Sequence, residues 1–262
     1  MHRDVTSMQA KKFVPEFLLA LTTETQWDET QSAAFEKLKN WDFALTRESM
    51  AASIYENLYR KTSENLVKNK LSPDLLASVK GNRVILENLM VKVLTDKTSL
   101  WIDDKTTPET ETFDDIVIRS FKETVSDLSA ELGANTNDWN WGKIHTFTIK
   151  HPLGVVSTLD KIFKLNKGPF EVLGSYHTVC PYSYSYNNLY NVNHGASHRH
   201  IFDVSNWDAS KTIIPTGTSG IPASKFYLDQ TDLYINNQYH ADPFSWEEVQ
   251  KSANFKMKLF PE

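Results

Sequence analysis

Apolar residues recur at helical spacing up to about residue 135 and at alternate positions after it. From Thr46 to Lys68, Met50, Ile54 and Leu58 share one stripe and Ala51, Tyr55 and Tyr59 lie beside it, as on one face of an α-helix. Thr46 fits its N-cap, because a hydroxyl there accepts from an unpaired amide of the first turn. Ser72-Pro73 opens a second helix, with Ser at the N-cap and Pro at the first helical position, and Leu75, Val79, Leu86, Leu89, Met90 and Val93 supply its buried face. A third runs from Phe113 to Leu132, with Gly133 as a left-handed stop. Shorter helical pieces fill residues 4–40, where Pro15 marks a break or a helix start because it lacks the N–H of a helix interior.

Beyond Asn135, residues 143–149, 176–180, 199–205, 211–215 and 232–236 read as strands separated by Gly, Pro, Asn and Asp. A last helix over Trp246–Ala253 follows Ser245 as its cap. The chain therefore reads as α+β, with a mainly helical first half (1–134) and an antiparallel β second half (135–262) that ends in a helix. The polar stretch at 133–137 offers a boundary, but helices of this kind pack on such sheets, so the expectation is a single mixed domain over 1–262.

The 262 residues suffice for a large core, and 40% apolar content with 7 Trp, 10 Tyr and 14 Phe excludes a disordered or low-complexity chain. With 28 Lys and Arg against 33 Asp and Glu, the net charge of −5 argues against a nucleic-acid partner, which calls for the opposite bias. No run approaches the 18 apolar residues of a membrane span, so no membrane partner is expected. A lone cysteine, Cys180, excludes an internal disulfide framework and a four-cysteine zinc site. Met1-His2-Arg3-Asp4 lacks the apolar region of a signal peptide.

Four groups of residues carry candidate chemistry. His194, His198 and His200 have an H-x3-H-x-H spacing that puts two imidazoles on one strand face, either as metal ligands or as hydrogen-bonded strand histidines. Cys180 is a nucleophile candidate or a buried structural thiol. The tract Pro181-Tyr182-Ser183-Tyr184-Ser185-Tyr186, with Tyr190 nearby, is a stacking platform for a ligand, a half-exposed strand or an ordered loop. In the strand from Arg199 to Ser205, Arg199, Ile201 and Asp203 share one face while His200, Phe202 and Val204 share the other. A carboxylate in an apolar strand costs several kcal/mol unless a cation or strong donors meet it. Asp203 therefore needs a partner of its own, structural or functional.

Several stretches in fixed order resemble the penicillin acylase family of N-terminal-nucleophile (Ntn) amidohydrolases, over the C-terminal half of that family's catalytic β chain. They are His2-Arg3-Asp4-Val5-Thr6-Ser7, Leu38-Lys39-Asn40-Trp41-Asp42, Trp141-Gly142-Lys143-Ile144-His145 and His151-Pro152-Leu153-Gly154. Then follow Gly195-Ala196-Ser197-His198-Arg199-His200-Ile201-Phe202-Asp203, Pro215-Thr216-Gly217-Thr218-Ser219-Gly220-Ile221-Pro222 and Tyr227-Leu228-Asp229-Gln230. His2, Cys180 and Thr218 depart from the family pattern, which has Gln, Asn and Gln there.

The resemblance implies an αββα sandwich and hydrolysis of linear N-acyl amide bonds. In such enzymes a precursor cuts itself to expose a nucleophile whose own α-amine is the general base, and backbone amides with an Asn form the oxyanion hole. The chain begins at Met1, so the nucleophile, that Asn and the family's calcium site are expected on an upstream partner segment, with no cofactor held by this chain. What carries over is support, from Asp203 near the nucleophile and Arg199 as a second member of its network. The resemblance further implies a small N-acyl amide substrate and export to the periplasm or the medium. The alternative is an inactive relative acting as a binding or assembly module, with the tyrosine tract as its contact surface.

Overall fold

The structure, a computed structural model, describes residues 2–186 and 188–261. It divides into two compact units. The first takes in Arg3–Thr148 and Gly168–Gly195, the second Ile149–Lys167 and Ala196–Glu262 with His2. The polar stretch at 133–137 lies inside the first unit, so it is not a boundary. Among the described residues no helix is long and apolar enough to cross a membrane.

In the first unit, helices α1 (Met8–Leu21), α2 (Glu29–Lys39), α3 (Met50–Asn65), α4 (Pro73–Gly81), α5 (Arg83–Thr95) and α6 (Phe113–Leu132) are each set by local signals. Ser7, Asp28, Ser49, Ser72 and Thr112 each accept from a first-turn amide, and Asp28–Gln31 and Thr112–Asp115 form full capping boxes. Ser49 rather than Thr46 caps α3, which shortens the expected helix at its start. The helix opened by Ser72-Pro73 is two helices, broken at Asn82. Pro15 sits inside α1, contrary to expectation. Its side chain is exposed, so the Lys11 carbonyl that loses its helical donor lies on the solvent side. Gly133 ends α6 at φ 91° and ψ 165°, a glycine conformation but not the left-handed helical one.

Helix α3 packs along α6 and against α2, α5 and the short helix α7 (Trp141–Ile144), and it is buried on every side. That burial includes Glu56, Asn57, Arg60 and Asn65, each of which has to be met by a partner. Arg60 donates to Glu64 at 3.1 Å, and Asn65 donates to Ser120 Oγ at 2.9 Å. Glu56 and Asn57 are met by the tyrosine tract, whose Tyr184 and Tyr190 hydroxyls donate to Glu56 Oε2 and Asn57 Oδ1. Burial and the neighbouring Glu56 push the Tyr184 phenol far above its ordinary range, so it acts as a donor.

The strands are fewer and shorter than the alternation predicts. β1 (Thr146–Ile149) pairs with β2 (Lys167–Glu171), most of both lying in the first unit, and β3 (Tyr182–Ser183) pairs antiparallel with β4 (His194–Gly195). The expected strand over 176–180 is a turn instead. Thr178 Oγ1 accepts from the Ser175 amide at 3.0 Å and donates to the Cys180 carbonyl at 2.7 Å. Gly174 enters this turn at φ 74°, where a Cβ would come within 2.4 Å of that carbonyl.

His145 follows α7 at 0% exposure, its ring stacked on Trp141 at 4.5 Å with Nδ1 2.9 Å from the Tyr190 carbonyl. Burial pulls its pKa down to about 3, so the imidazole is neutral and Nδ1–H donates.

The second unit holds helices α8 (Ser157–Phe163), α9 (Thr231–Ile235) and α10 (Trp246–Ser252) and a three-stranded antiparallel sheet. The sheet order is β5 (Arg199–Ile201), β6 (Lys211–Ile213), β7 (His240–Ala241), with Arg199 opposite Ile213 and Ile201 opposite Lys211. Ile213, Tyr227 and Tyr234 are buried, and Tyr227 Oη donates to the Leu165 carbonyl at 3.0 Å. The expected strand over 232–236 falls on α9 and its C-cap Asn236 instead, since five residues are too few to separate the two periods. Ser245 caps α10 by accepting from the Glu248 amide.

Two outcomes follow for the first unit. Below pH about 6.5 the unfolded chain protonates at residue 145 while the fold resists, so stability falls by up to about 1.4 kcal/mol per pH unit from this group as pH drops toward 3. Urea titrations between pH 7 and 4 should show a shallower decline for His145→Gln than for wild type. Tyr184→Phe strips the donor from buried Glu56 and should cost about 1–3 kcal/mol, read as a lower urea midpoint at unchanged m-value.

Candidate functional site

The segment from Gly195 to Asp203, singled out by its motif, runs through β5 and past its end. Arg199 is 6% exposed. Its Nη1 donates to Asn237 Oδ1 and its Nη2 to the Tyr234 carbonyl, and its guanidinium lies 4.1 Å from the Tyr234 ring centroid and 5.6 Å from that of Tyr239. That carbonyl belongs to the last turn of α9, where carbonyls carry partial negative charge, and it also accepts from the Asn237 amide at 3.1 Å. Arg199 thereby joins β5 to α9 and the residues that follow it.

Asp203 stands elsewhere. β5 stops at Ile201 because β6 begins at its partner, Lys211, so residues 202–205 have no strand opposite them within the sheet. Arg199 and Asp203 therefore do not share a strand face, and no cation meets Asp203 among the described residues. Its Oδ1 accepts from Ser205 Oγ at 2.6 Å, the Ser205 amide at 3.0 Å and the Asn206 amide at 3.2 Å. These bonds, led by that of the Ser205 hydroxyl, hold the carboxyl below its usual range. The side chain is half-buried and closes a turn.

The remaining candidates resolve as structural groups. His198 Nε2 lies 2.6 Å from Thr212 Oγ1 and His200 Nε2 2.6 Å from Asp242 Oδ2, while His194 belongs to the other unit. Among the described residues no three His, Cys, Asp or Glu side chains converge to hold a metal ion, so the metal reading of the histidines has no donor set. Cys180 is buried at 1% exposure, with its amide donating to the Asp4 carbonyl at 2.9 Å. Tyr182, Tyr184, Tyr186 and Tyr190 are all buried, which removes the tract as a stacking platform or contact surface.

A second polar cluster, not anticipated from the sequence, surrounds Arg83 in the first unit. Its guanidinium lies 4.6 Å from the Tyr176 ring centroid and 5.3 Å from those of Tyr184 and Tyr186. Nε donates to Glu87 Oε1 at 2.7 Å, and the same oxygen lies 2.9 Å from His177 Nε2. Burial raises the Glu87 carboxyl, but His177 and Arg83 more than offset this and hold it below its ordinary value. The available signal was a charged pair at i and i+4, Arg83 and Glu87, on the largely apolar stretch 83–95. The cluster is chemically a tie between α5 and the tyrosine tract.

Truncating Arg199 removes two buried charge-assisted hydrogen bonds, to Asn237 Oδ1 and to the Tyr234 carbonyl. Arg199→Met should destabilise the second unit by about 2–4 kcal/mol, seen as a lower melting temperature with loss of amide protection at residues 234–237. Arg199→Lys should recover only part of this, because an ammonium cannot reproduce the planar stacking and paired donation.

The model of the penicillin amidase family matches residues 1–251. Acyl-homoserine lactone acylase QuiP of Pseudomonas putida is 24% identical over 230 residues, which is 86% of this chain and 28% of that protein. Penicillin acylase 2 proenzyme of a Pseudomonas species is 28% identical over 142 residues, 54% of this chain and 18% of its own. The chain thus spans about a quarter of the length of curated relatives that it matches. Among solved structures, thermostable penicillin G acylase from Alcaligenes faecalis superposes with a TM-score of 0.53 at 13% identity, covering 99% of this chain and 47% of that one. That similarity shows the Ntn-hydrolase fold, in agreement with the α+β reading. The match of the family model over residues 1–251 settles membership: the chain belongs to the penicillin amidase family.

Proposed function

We propose that this chain is the C-terminal portion of an amidohydrolase that removes acyl groups from nitrogen, working with an upstream segment that supplies the nucleophile. The observation that carries this reading is the pairing of a family match over 1–251 with a span of 28% of a relative's length. The curated relatives are named as acylases, one for acyl-homoserine lactones and one for penicillin. Acyl transfer needs a nucleophile, a base and donors aimed at the developing oxyanion. Cys180 and His145, two groups here with nucleophile or base chemistry, are sealed in packed interior, and His145 is held neutral by burial. This supports a framework role for the chain.

Within the assembled enzyme Asp203 acts as a positioning residue. Its three bonds to the turn all fall on Oδ1, so Oδ2 can face a donor such as the α-amine of the partner's nucleophile. Arg199, fixed by Tyr234 and Asn237, holds the strand that leads to it.

Co-expression of this chain with the rest of the acylase, assayed on chromogenic aliphatic and phenylacetyl amides, tests the reading. Hydrolysis is expected from the pair and not from this chain alone; turnover by the purified 262-residue chain overturns it. In the assembled enzyme Asp203→Asn keeps an acceptor for the turn but removes the charge. A drop of about tenfold or more in kcat/KM is expected, with the acid limb of the pH–rate profile moved to lower pH, because an anion nearby raises the pKa of an amine. Unchanged kinetics would remove Asp203 from the network.

A further inference from the structure

The alternation of apolar residues that begins in β5 continues beyond it, through Phe202 and Val204, where the sheet offers no partner. β5 is also an edge: among the described residues it pairs with β6 alone. Phe202 is 60% exposed, Val204 78% and Phe244 70%. These side chains are not scattered. The rings of His200 and Phe202 lie 3.9 Å apart, Phe202 and Trp207 6.2 Å, and Trp207 and Phe244 5.6 Å, so a continuous aromatic ridge runs from the edge strand across the second unit.

An edge strand that exposes apolar side chains is a template for another strand, and soluble proteins normally blunt such edges with charge, proline or a covering element. From Arg199 to Asp203 the only outward charge is Asp203, at the end of the run. A contiguous exposed aromatic patch of this kind marks an interaction surface. The occupant follows from length: a relative matched over 86% of this chain has more than two-thirds of its own length outside the match.

We propose that the upstream segment of the acylase adds a strand to the free edge of β5 and lays apolar side chains over the ridge of Phe202, Trp207 and Phe244, extending β5 to Asp203. The proposal rests on the split-acylase reading and deepens it by naming the surface. Main-chain hydrogen bonds to the edge give affinity, and the ridge supplies the apolar anchors. The same addition carries Asp203 to the junction between the two polypeptides.

The test co-expresses the full chain with the tagged remainder of the acylase and measures the dissociation constant of the purified pair. Phe202→Ser with Val204→Ser should weaken binding at least tenfold, while Leu75→Ser with Ile85→Ser, exposed apolar positions on α4 and α5, should leave it within twofold. All four positions are exposed, so the melting temperature of each variant alone should match wild type. In the complex, amide exchange at residues 200–203 should slow at least tenfold. A complex that forms with wild type and is indifferent to the Phe202/Val204 pair overturns the ridge while leaving the split-acylase reading intact. Failure of the wild-type chain to bind the remainder at all overturns both. Self-association of the chain alone, abolished by the Phe202/Val204 pair, would assign the edge to a second copy and overturn the proposal.

Discussion

A helix buried on every side exposes every polar group on it to the cost of desolvation unless a partner meets it. Helix α3 carries Glu56, Asn57, Arg60 and Asn65 into the interior. Although Ser53 Oγ, Tyr59 Oη, Glu56 Oε1 and Arg60 Nε find no hydrogen-bond partner among the described residues, each of those four residues is met at one atom or more, and the first unit is arranged around those contacts. Glu56 and Asn57 are met by the hydroxyls of Tyr184 and Tyr190, Asn65 by Ser120, and Arg60 by Glu64. Leaving any of these groups unmet costs more than the bond itself contributes, so the tyrosine tract is held against α3 by polar complementarity as much as by area. Arg83, ringed by Tyr176, Tyr184 and Tyr186 and tied to Glu87, extends the same logic to α5.

That constraint explains why the tract misleads as a sequence. Alternating Tyr and Ser with no flanking charge reads equally as a ligand platform and as a strand, because the identity of what it faces lies more than a hundred residues away. Helices were legible wherever the signal was local, as at Ser72-Pro73 and from Phe113 to Gly133, where caps and periodicity agree. Pro15 shows the limit of a local rule: a proline is tolerated inside α1 because the carbonyl it orphans lies on the exposed face. Strands were less legible because a strand exists only with a partner. The pattern over 199–205 is genuine alternation, yet only Arg199–Ile201 is paired, since β6 opposes those three residues and no more. Residues 232–236 carry too little pattern to distinguish a strand from a helical turn.

The motif around Gly195–Asp203 located the stretch that matters without disclosing what its members do. Arg199 is a buried tie to Tyr234 and Asn237, and Asp203 is the acceptor of a turn. The role of Arg199 is not visible from spacing, because its partners lie more than thirty residues away, in and just after α9. The donors of Asp203 are local, at Ser205 and Asn206, and the strand-like alternation masks the turn they form. One end of the aromatic ridge, at His200 and Phe202, was present in the sequence as even positions of the 199–205 pattern, while Trp207 and Phe244 join it only in the structure.

We propose that this chain is the framework of an acyl-transfer enzyme whose reacting group lies on another segment. The most direct measurement is active-site labelling of the assembled enzyme with a sulfonyl fluoride, which sulfonylates an activated nucleophile, followed by peptide mass spectrometry. The label is predicted on the N-terminal residue of the partner segment, with none on residues 1–262. A stoichiometric adduct on a side chain of this polypeptide, tracking the loss of activity, would contradict the account.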